Sequence, residues 1–354
     1  MVCRTTINTI QMNELNIIKF PVENTEPHVI VTGGSGYVGG HVCKALFQEG
    51  YIPINIDRQW SPWSEEYGPN YQMSFSPSHH AIHDAVAKYN VIAVVHCAAN
   101  SLVGPSVTTP AMYYENNVIN TINLIDFLYG KGINNIVFSS SSSVYGNQKI
   151  VPIKEDANLD PLTSYGRSKQ MVEGILQDYS IAYNIHSVSL RYFNACGADF
   201  DGHLGQVKDA THVIARVMES IINGGIFSVY GENYDTPDGT PIRDYTHVWD
   251  LALAHVKAVN YLQHGGPTTI LNLGAGQGQS VKDILNTTQE VVGKLPIIEY
   301  GDARPGDPTK VIADVSKAND VLDWVPKHSD LNTIIGTAWE WYNTDRYRGL
   351  RNAN

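Results

Sequence analysis

Short apolar runs and longer amphipathic segments alternate along the chain from residue 28 onward. The apolar runs are of strand length and all contain valine or isoleucine; they lie at 28–32, 52–57, 91–95, 133–138 and 186–190. The segments between them are long enough for helices and lie at 39–50, 80–89, 111–128 and 164–181. Strands that are separated by helix-length segments indicate βαβ units. We therefore expect an α/β fold that is built on a doubly wound parallel sheet.

The alternation becomes less regular after about residue 194. A Thr-Pro-Asp-Gly turn at 236–239 and a glycine-rich stretch at 274–278 interrupt the pattern there. In doubly wound sheets, ligands bind outside the carboxyl ends of the strands. We therefore expect a smaller C-terminal α/β lobe at that edge, where it would contribute to substrate binding.

Composition narrows the range of partners. The 354-residue chain is 43% hydrophobic, which is typical of a globular protein, and its formal net charge of −11 argues against a nucleic-acid partner. No apolar stretch reaches membrane-spanning length, so we expect no membrane partner. The four cysteines are far apart, without a CxxC pair or a short Cys/His spacing. This pattern indicates neither a disulfide framework nor a metal site, and it favours a cytoplasmic location.

The first strand is followed directly by glycines at GxxGxxG spacing, Gly33, Gly36 and Gly39, where the first helix opens. Gly33 permits a tight turn, Gly36 lets the backbone approach a pyrophosphate, and Gly39 lets helix and sheet pack closely. The N-terminus of a helix also offers free N–H groups and a positive dipole end to phosphate. In this context the motif predicts a dinucleotide site.

An acidic residue, Asp57, ends the second strand 18 residues after Gly39. A carboxylate at this place can accept hydrogen bonds from the ribose hydroxyls, and it repels a 2′-phosphate, which favours NAD over NADP. The neighbouring Arg58 could hold a 2′-phosphate, so NADP stays the less favoured alternative.

A tyrosine and a lysine four residues apart, Tyr165 and Lys169, lie one turn from each other on a predicted helix. A cation at that distance lowers the pKa of a phenol, so the pair could transfer protons. The same spacing also occurs in exposed pairs that have no function. The serine run 139–143 favours the catalytic interpretation, because it follows a strand at the carboxyl edge and one hydroxyl could bond both the phenol and a substrate.

Several motifs together resemble the extended short-chain dehydrogenase/reductase superfamily and, within it, the UDP-glucose (UDP-galactose) 4-epimerases. Three of them are the glycine turn, the serine run with Val-Tyr-Gly at 144–146, and the Tyr-x-x-x-Lys pair. The others are Ala99-Asn-Ser-Leu-Val-Gly104, Tyr113-Tyr-Glu-Asn-Asn-Val118, Leu190-Arg-Tyr-Phe-Asn-Ala-Cys-Gly-Ala198, Tyr234-Asp-Thr-Pro-Asp-Gly-Thr240, Arg243-Asp-Tyr-Thr-His-Val248 and Arg304-Pro-Gly-Asp-Pro308. The resemblance spans about residues 28 to 345.

The resemblance implies a role for each matching residue. Tyr165 would take the proton of the C4 hydroxyl, Lys169 would hold the nicotinamide ribose and lower the tyrosine pKa, and Ser141 would contact the reacting hydroxyl. The other residues expected near NAD, besides the glycine turn and Asp57, are Tyr37, Val38, Asn116 and Tyr192. The residues expected at the UDP-sugar are Asn194, His212, Ser228, Val229, Tyr230, Arg243, Arg304, Asp307 and Val311, with the two arginines clamping the diphosphate.

The resemblance also implies the reaction and the assembly. C4 of the hexose would be oxidised to a ketone and reduced on the opposite face, so NAD would stay bound and no metal would be needed. The helices at 111–128 and 164–181 would form the face of a homodimer. The implied parts are an N-terminal extension, 1–27, an NAD-binding Rossmann domain, 28–193 plus about 240–262, and a UDP-sugar-binding lobe, 194–239 plus 263–345.

Two features depart from the pattern of these epimerases. The loop after the second strand is short, and the segment Tyr71-Gln-Met-Ser-Phe-Ser76 lacks the acid that contacts adenine, so Trp60 or Trp63 could stack on adenine instead. In addition, Val311 stands where a large aromatic residue excludes N-acetyl groups from the sugar pocket. We therefore expect UDP-N-acetylhexosamines to be accepted as well as UDP-hexoses.

Other functions on the same fold stay open to different degrees. Sugar-nucleotide 4,6-dehydratases carry an Asp-Glu pair where this chain has Ser142 and Ser143, so dehydration is not expected. A related decarboxylase, and 4-epimerases of UDP-pentoses or UDP-uronates, are alternatives. A non-catalytic NAD-binding regulator is a less favoured one, because such a protein has no need of Tyr165, Lys169 and the serine run.

Overall fold

The computed structural model describes residues 24–73, 80–207, 211–304 and 307–352. Its strands are β1 (Asn24–Thr32), β2 (Ile52–Asp57), β3 (Asn70–Gln72), β4 (Tyr89–His96), β5 (Asn135–Ser141), β6 (His186–Tyr192), β7 (Asn194–Cys196), β8 (Ile226–Tyr230), β9 (Ile242–His247), β10 (Thr269–Leu273), β11 (Gly278–Ser280), β12 (Ile297–Gly301) and β13 (Lys310–Val311).

Helices connect most of these strands. They are α1 (Tyr37–Gln48), α2 (His80–Lys88), α3 (Val103–Thr108), α4 (Pro110–Tyr114), α5 (Asn120–Gly130), α6 (Ser164–Tyr183), α7 (Val213–Asn223), α8 (Val248–Gln263), α9 (Val281–Val292), α10 (Ser316–Leu322), α11 (Leu331–Asn343) and α12 (Asp345–Asn352). A π-helical segment, Glu115–Ile119, joins α4 to α5, and a 3₁₀ turn, Ser142–Val144, follows β5. Within the described residues, no helix is both long and apolar enough to cross a membrane.

The large sheet has seven parallel strands in the order β10-β6-β5-β4-β1-β2-β3. Its central strands are apolar on both faces because helices cover both sides, and Val29, Ile30 and Val31 of β1 are fully buried. Helices α1 and α8 pack together over the sheet, whereas α2, α5 and α6 contribute to the core on the other face. The predicted doubly wound parallel sheet is confirmed.

A smaller α/β lobe lies beyond the carboxyl ends of these strands. In it β9 pairs with β7, β11 and β13, and β8 forms a two-stranded parallel sheet with β12. Helices α7, α9 and α11 close a second apolar core, to which Met218, Ile284 and Trp341 contribute. The loops between these short strands therefore face the edge at which β1, β4, β5 and β6 end.

The structure corrects one predicted boundary. The division at residue 263 assigned the following segment to the small lobe, but Thr269–Leu273 is β10, an edge strand that pairs with β6 in the large sheet. Helix α10 packs on β10 and on α8, so it belongs to the same side. The strand was misplaced because its partner lies more than 70 residues earlier, which an alternation pattern does not reveal. The rest of the division stays a prediction.

Local differences are smaller. Strand β1 begins at Asn24, ahead of the expected residue 28, and Asn24 pairs with Tyr89 of β4. Residues 1–23 lie outside the described part of the chain. The single helix expected at 111–128 is instead α4, a π-helical segment and α5. The short third strand, β3, was not expected, because three residues give no periodic signal.

Candidate active site

The glycine turn lies between β1 and α1 and is packed too closely for side chains. Gly33 has a φ of +77°, which favours glycine, and a Cβ on Gly39 would lie 2.1 Å from the Gly33 carbonyl oxygen. A Cβ on Gly36 would also crowd that oxygen, at 3.1 Å. Gly36 caps α1 without a side-chain hydrogen bond, so the first N–H groups of the helix are left for an anion.

The carboxylate of Asp57 lies beside this turn. It accepts hydrogen bonds from the backbone N–H of Ser35, at 3.1 Å, and of Gln59, at 2.9 Å. Burial raises the pKa of Asp57, and the two N–H donors act against that rise. A carboxylate at the end of β2 and a glycine turn at the end of β1 are the two parts that hold a dinucleotide in sheets of this type.

The three predicted catalytic side chains meet at the carboxyl edge of β5. Tyr165 lies in the first turn of α6, and its buried hydroxyl is near enough to Ser141 for the serine hydroxyl to lower the pKa of the phenol. The backbone N–H of Ser143 donates to Ser141 Oγ at 3.1 Å, so the 3₁₀ turn fixes the serine. Among the five serines, Ser141 is the one whose hydroxyl affects the pKa of the phenol. Its contact with the reacting hydroxyl, which the resemblance implied, stays a prediction.

A glycine makes this close contact possible. Gly166 follows Tyr165 in α6, and a Cβ there would lie 2.4 Å from the carbonyl oxygen of Ser143 and 3.0 Å from Cβ of Pro161. The Ser143 carbonyl belongs to the backbone and the Pro161 Cβ to a rigid ring, so neither atom can easily move aside. The start of α6 can therefore approach the serine turn only because residue 166 has no side chain. Thr163 caps the helix by accepting from the N–H of Gly166 at 3.2 Å.

Lys169 is buried one turn further along α6. Its ammonium donates to the carbonyl oxygen of Ser139 at 2.7 Å and lies 5.8 Å from the centroid of the Tyr165 ring. Burial lowers the pKa of Lys169 to about 8. The pKa of Tyr165 is raised, contrary to the expected lowering, because burial of the phenol outweighs the hydrogen bond from Ser141.

The remaining residues expected near NAD lie around this edge with partners of their own. The Tyr37 hydroxyl donates to the carbonyl of Gly197 at 2.7 Å and so joins α1 to the small lobe. The Tyr192 hydroxyl is 2.7 Å from Ser139 Oγ and also bonds His255. Val38 lies in the first turn of α1 and Asn116 in the π-helical segment, and both residues are half-buried.

The residues expected at the diphosphate gather on the facing surface of the small lobe. Arg243 Nη2 donates to Asp307 Oδ1 at 2.6 Å, and the hydroxyl of Tyr234 reaches the same carboxylate at 3.5 Å. The guanidinium of Arg304 stacks on the ring of Tyr230, 4.2 Å from its centroid. The Asp307 N–H also donates to the Arg304 carbonyl, which ties the two arginine segments together.

Other predicted substrate residues are arranged less uniformly. Asn194 Nδ2 donates to the Asp244 carbonyl at 2.7 Å, and His212, which precedes α7, is bonded through Nδ1 to Gln206 at 2.8 Å. Ser228 and Tyr230 are half-buried on β8, whereas Val229 points into the second core. The predicted contact of Val229 with a uracil or ribose could therefore involve only its backbone.

Val311 lies opposite Arg243 in the β9–β13 pairing, and its side chain packs against a small core that contains Phe193 and Tyr145. This places an aliphatic residue next to the arginine of the diphosphate cluster.

The tryptophan interpretation is wrong for one of its two residues. Trp63 is only 3% exposed, lies against Gly40 of α1, and meets Trp341 edge-on in the second core. It is therefore not available to stack on adenine. Trp60, at 55% exposure, stays a candidate. The segment 71–76, which lacks the acid that contacts adenine, extends into residues 74–79, and these lie outside the described part of the chain.

Two buried carboxylates of the site were not predicted. Asp244, next to Arg243, accepts from the N–H groups of Ala275, Gly276 and Ala313 at 2.6, 3.0 and 3.0 Å. Glu173 lies one turn beyond Lys169 and pairs with a buried arginine of β6. Its position four residues after Lys169 could have indicated that it belongs to the site, because residues four apart share a helix face.

Comparison with known proteins identifies the class of protein that this fold and site define. A model of the NAD dependent epimerase/dehydratase family matches residues 29–274, more than half of the chain. The protein therefore belongs to this family. The UDP-glucose 4-epimerase of Rhizobium leguminosarum bv. trifolii is 42% identical over 318 residues, which cover 89% of this chain and 97% of that relative.

Solved structures give the same result. The UDP-glucose 4-epimerase from Brucella ovis in complex with NAD superposes with a TM-score of 0.85 at 39% identity, covering 88% of this chain and 97% of that one. The UDP-glucose 4-epimerase from Bifidobacterium longum, in complex with NAD⁺ and UDP, superposes with a TM-score of 0.82 at 32% identity, covering 90% and 99%.

Proposed function

We infer that this protein catalyses the NAD-dependent epimerisation of a UDP-hexose at C4, interconverting UDP-glucose and UDP-galactose. The observation that carries this conclusion is the convergence of Tyr165, Lys169 and Ser141 at the carboxyl end of β5, in the same parallel sheet whose strand β1 ends at the dinucleotide turn. Membership of the NAD dependent epimerase/dehydratase family supports it.

The residues present fit NAD. The crowded glycine turn with an uncapped helix N-terminus suits a pyrophosphate, and Asp57 suits a ribose that has no 2′-phosphate. When bound, NAD supplies a hydride acceptor and donor. Lys169 is one turn from Tyr165 and would hold the nicotinamide ribose by its ammonium.

Tyr165 would transfer the proton in both directions. Its oxygen takes the C4 hydroxyl proton as the carbon is oxidised and returns it when the ketone is reduced on the other face. Ser141 holds the phenol and the reacting hydroxyl, and the Lys169 cation favours the phenolate. Burial makes that phenolate a strong base and keeps water away from the ketone.

Substrate binding rests on the small lobe. Arg243 and Arg304 lie on either side of Asp307 and offer planar guanidinium groups to a diphosphate, whereas Asp307 would accept from a ribose hydroxyl. The sugar would then extend toward Ser141. Neither of the serines that follow, in the 3₁₀ turn, carries the carboxyl group that dehydration requires.

The test is to incubate the purified protein with UDP-galactose, UDP-N-acetylgalactosamine, a UDP-pentose and a UDP-uronate, and to identify products by NMR. We expect UDP-glucose from UDP-galactose without added oxidant. Turnover of the pentose or the uronate alone would favour those alternatives. Binding of NAD and UDP without any turnover would favour the regulator.

We also propose that the sugar pocket admits an N-acetyl group, because Val311 is small and aliphatic. A Val311→Tyr variant should lose turnover of UDP-N-acetylgalactosamine while keeping that of UDP-galactose. Val325→Tyr, at a site that is 48% exposed, is the matched control and should change neither. If the wild-type protein leaves the acetylated sugar unchanged, the idea is wrong.

A homodimer is the proposed assembly, formed through the segments 111–128 and 164–181. Apolar side chains are exposed along them, including Met112 at 48%, Ile119 at 53% and Met171 at 47%. Ile119→Glu should give a monomer by light scattering, whereas Ile297→Glu, at a 61% exposed site of β12, should not.

The free thiols of Cys43, Cys97 and Cys196 support a cytoplasmic location.

A further inference from the structure

Glu173 is a buried carboxylate that the proposed reaction does not use. It is 3% exposed and lies on α6, one turn beyond Lys169 and two turns beyond Tyr165. Arg191 of β6 donates to both of its oxygens, from Nε at 2.9 Å and from Nη2 at 2.7 Å. A bidentate pair of this kind fixes the position of both side chains.

The same carboxylate also holds the serine strand. The hydroxyl of Ser140 donates to Glu173 Oε1 at 2.5 Å, and Ser140 is the residue before Ser141. Across the β5–β6 pairing, Ser140 lies directly opposite Arg191. Helix α6 and strands β5 and β6 are therefore joined at the carboxylate of Glu173. This junction lies two turns beyond Tyr165 on α6 and next to Ser141 on β5.

A second branch reaches the other side of Ser141. Arg191 Nη1 donates to the hydroxyl of Tyr145 at 2.8 Å, and that hydroxyl donates to Asn272 Oδ1 of β10 at 2.6 Å. Tyr145 directly follows the 3₁₀ turn that begins after Ser141. The network thus anchors the chain both before and after the serine.

Charge gives Glu173 a second link to the site. The titratable groups that face Lys169 are Tyr165 and Glu173 from its own helix and His96 and Cys97 from the end of β4. His96 and Cys97 are held neutral by burial, with pKa values of about 3 and about 11. Cys97 and Glu173 both raise the pKa of Lys169 and so oppose the effect of burial. Cys97 does so only when it is ionised, whereas Glu173 carries its charge in the ion pair with Arg191.

We propose that Glu173 is a positioning residue of the active site, which sets the separation of Tyr165 from Ser141 through Ser140 and places a carboxylate one helical turn from Lys169. The proposal rests on the proposed function, but it concerns how the site is held. Wild-type turnover tests the function, and variants compared with the wild type test the proposal.

Two variants separate the two links. Ser140→Ala removes the hydrogen bond to Glu173 and keeps the charges. The kcat should fall about tenfold, because small displacements of reacting groups are costly. The affinity for UDP and the pH profile of kcat should stay unchanged. Ser187→Ala is its control, since Ser187 is a buried β6 serine whose hydroxyl has no hydrogen-bond partner among the described residues. That variant should keep the wild-type kcat.

Glu173→Gln removes the charge. The alkaline limb of kcat against pH should then move to lower pH, because Lys169 loses its proton more readily. Glu290→Gln, on the exposed face of α9, changes the net charge equally and should not move the limb. If Glu173→Gln does not fold with Arg191 unpaired, Ser140→Ala, which keeps the ion pair, carries the test alone.

A purely structural role would lower thermal stability without these signatures. The proposal is overturned if Ser140→Ala keeps the wild-type kcat, or if folded Glu173→Gln keeps the alkaline limb of the wild type.

Discussion

A methyl group added at Gly166 should separate the two hydroxyls on which the proposed chemistry depends. In Gly166→Ala the new Cβ would start 2.4 Å from the Ser143 carbonyl oxygen, whereas Cβ contacts below 3.0 Å essentially never occur and ordinary contacts begin at 3.4 Å. Helix and serine turn must therefore move apart by about 0.6 to 1.0 Å. Because Ser141 and Tyr165 lie on opposite sides of this contact, the same movement increases the distance between their hydroxyls.

The effects on stability and on activity should differ in size. Alanine in a helix is favoured over glycine by about 1 kcal/mol, and overpacking costs about 1 to 3 kcal/mol, so net destabilisation should be at most about 2 kcal/mol. A displacement near 1 Å of a reacting group can cost about a hundredfold in rate. We therefore expect a folded protein whose kcat is about a hundredfold lower.

The assay is kcat for UDP-galactose, with urea unfolding as the stability measurement. Gly336→Ala in α11 is the matched control, because a Cβ there meets nothing within 4 Å. That variant should gain about 1 kcal/mol and keep its kcat. A Gly166→Ala protein with kcat within twofold of the wild type would refute the argument that this glycine sets the Tyr165–Ser141 distance.

Three further predictions concern the parts around this contact. In Gly39→Ala the Cβ meets the Gly33 carbonyl at 2.1 Å, so the turn should open and NAD affinity should fall about tenfold, measured by titration of the cofactor-free protein. Lys169→Met should lose about a hundredfold in kcat yet unfold at equal or higher urea, because a buried ammonium is replaced by an apolar chain. The same lysine predicts a pH dependence: the free energy of unfolding of the wild type relative to that of Lys169→Met should rise between pH 8 and pH 10.5, where the unfolded lysine still binds a proton that the folded one has released. Asp244→Ala should lose about 3 kcal/mol in urea unfolding, because three N–H groups lose their acceptor.

Each of these has a contrary result. Unchanged NAD affinity in Gly39→Ala would mean that the turn can yield. A clear loss of stability in Lys169→Met would mean that the ammonium stabilises the fold. Stability near that of the wild type in Asp244→Ala would mean that water satisfies the three N–H groups.

Local sequence signals predicted the parts of the fold that depend on neighbouring residues. The apolar runs at 52–57 and 186–190 lie in strands, and the helix predicted at 39–50 is present as α1, Tyr37–Gln48. Strand β10 was misplaced because its edge position depends on pairing with β6, far away in the chain. The π-helical segment Glu115–Ile119 also escaped prediction, since one extra residue per turn barely alters an amphipathic pattern.

The candidate site divides in the same way. Spacing alone suggested that Tyr165 and Lys169 share a face, and the resemblance selected Ser141 from five serines. Burial could not be derived from spacing, which is why the direction of the Tyr165 pKa was wrong. Burial also explains Trp63, whose ring fills the junction between α1 and the second core.

The most direct test of the account is a Tyr165→Phe variant, measured for UDP-galactose turnover and for NAD and UDP binding. The variant removes one buried oxygen and keeps the ring. We predict that epimerisation falls by about a thousandfold or more, as expected for loss of a proton-transferring group, while both affinities stay close to those of the wild type. Near-normal turnover in a protein that binds NAD and UDP normally would contradict the claim that Tyr165 carries the proton.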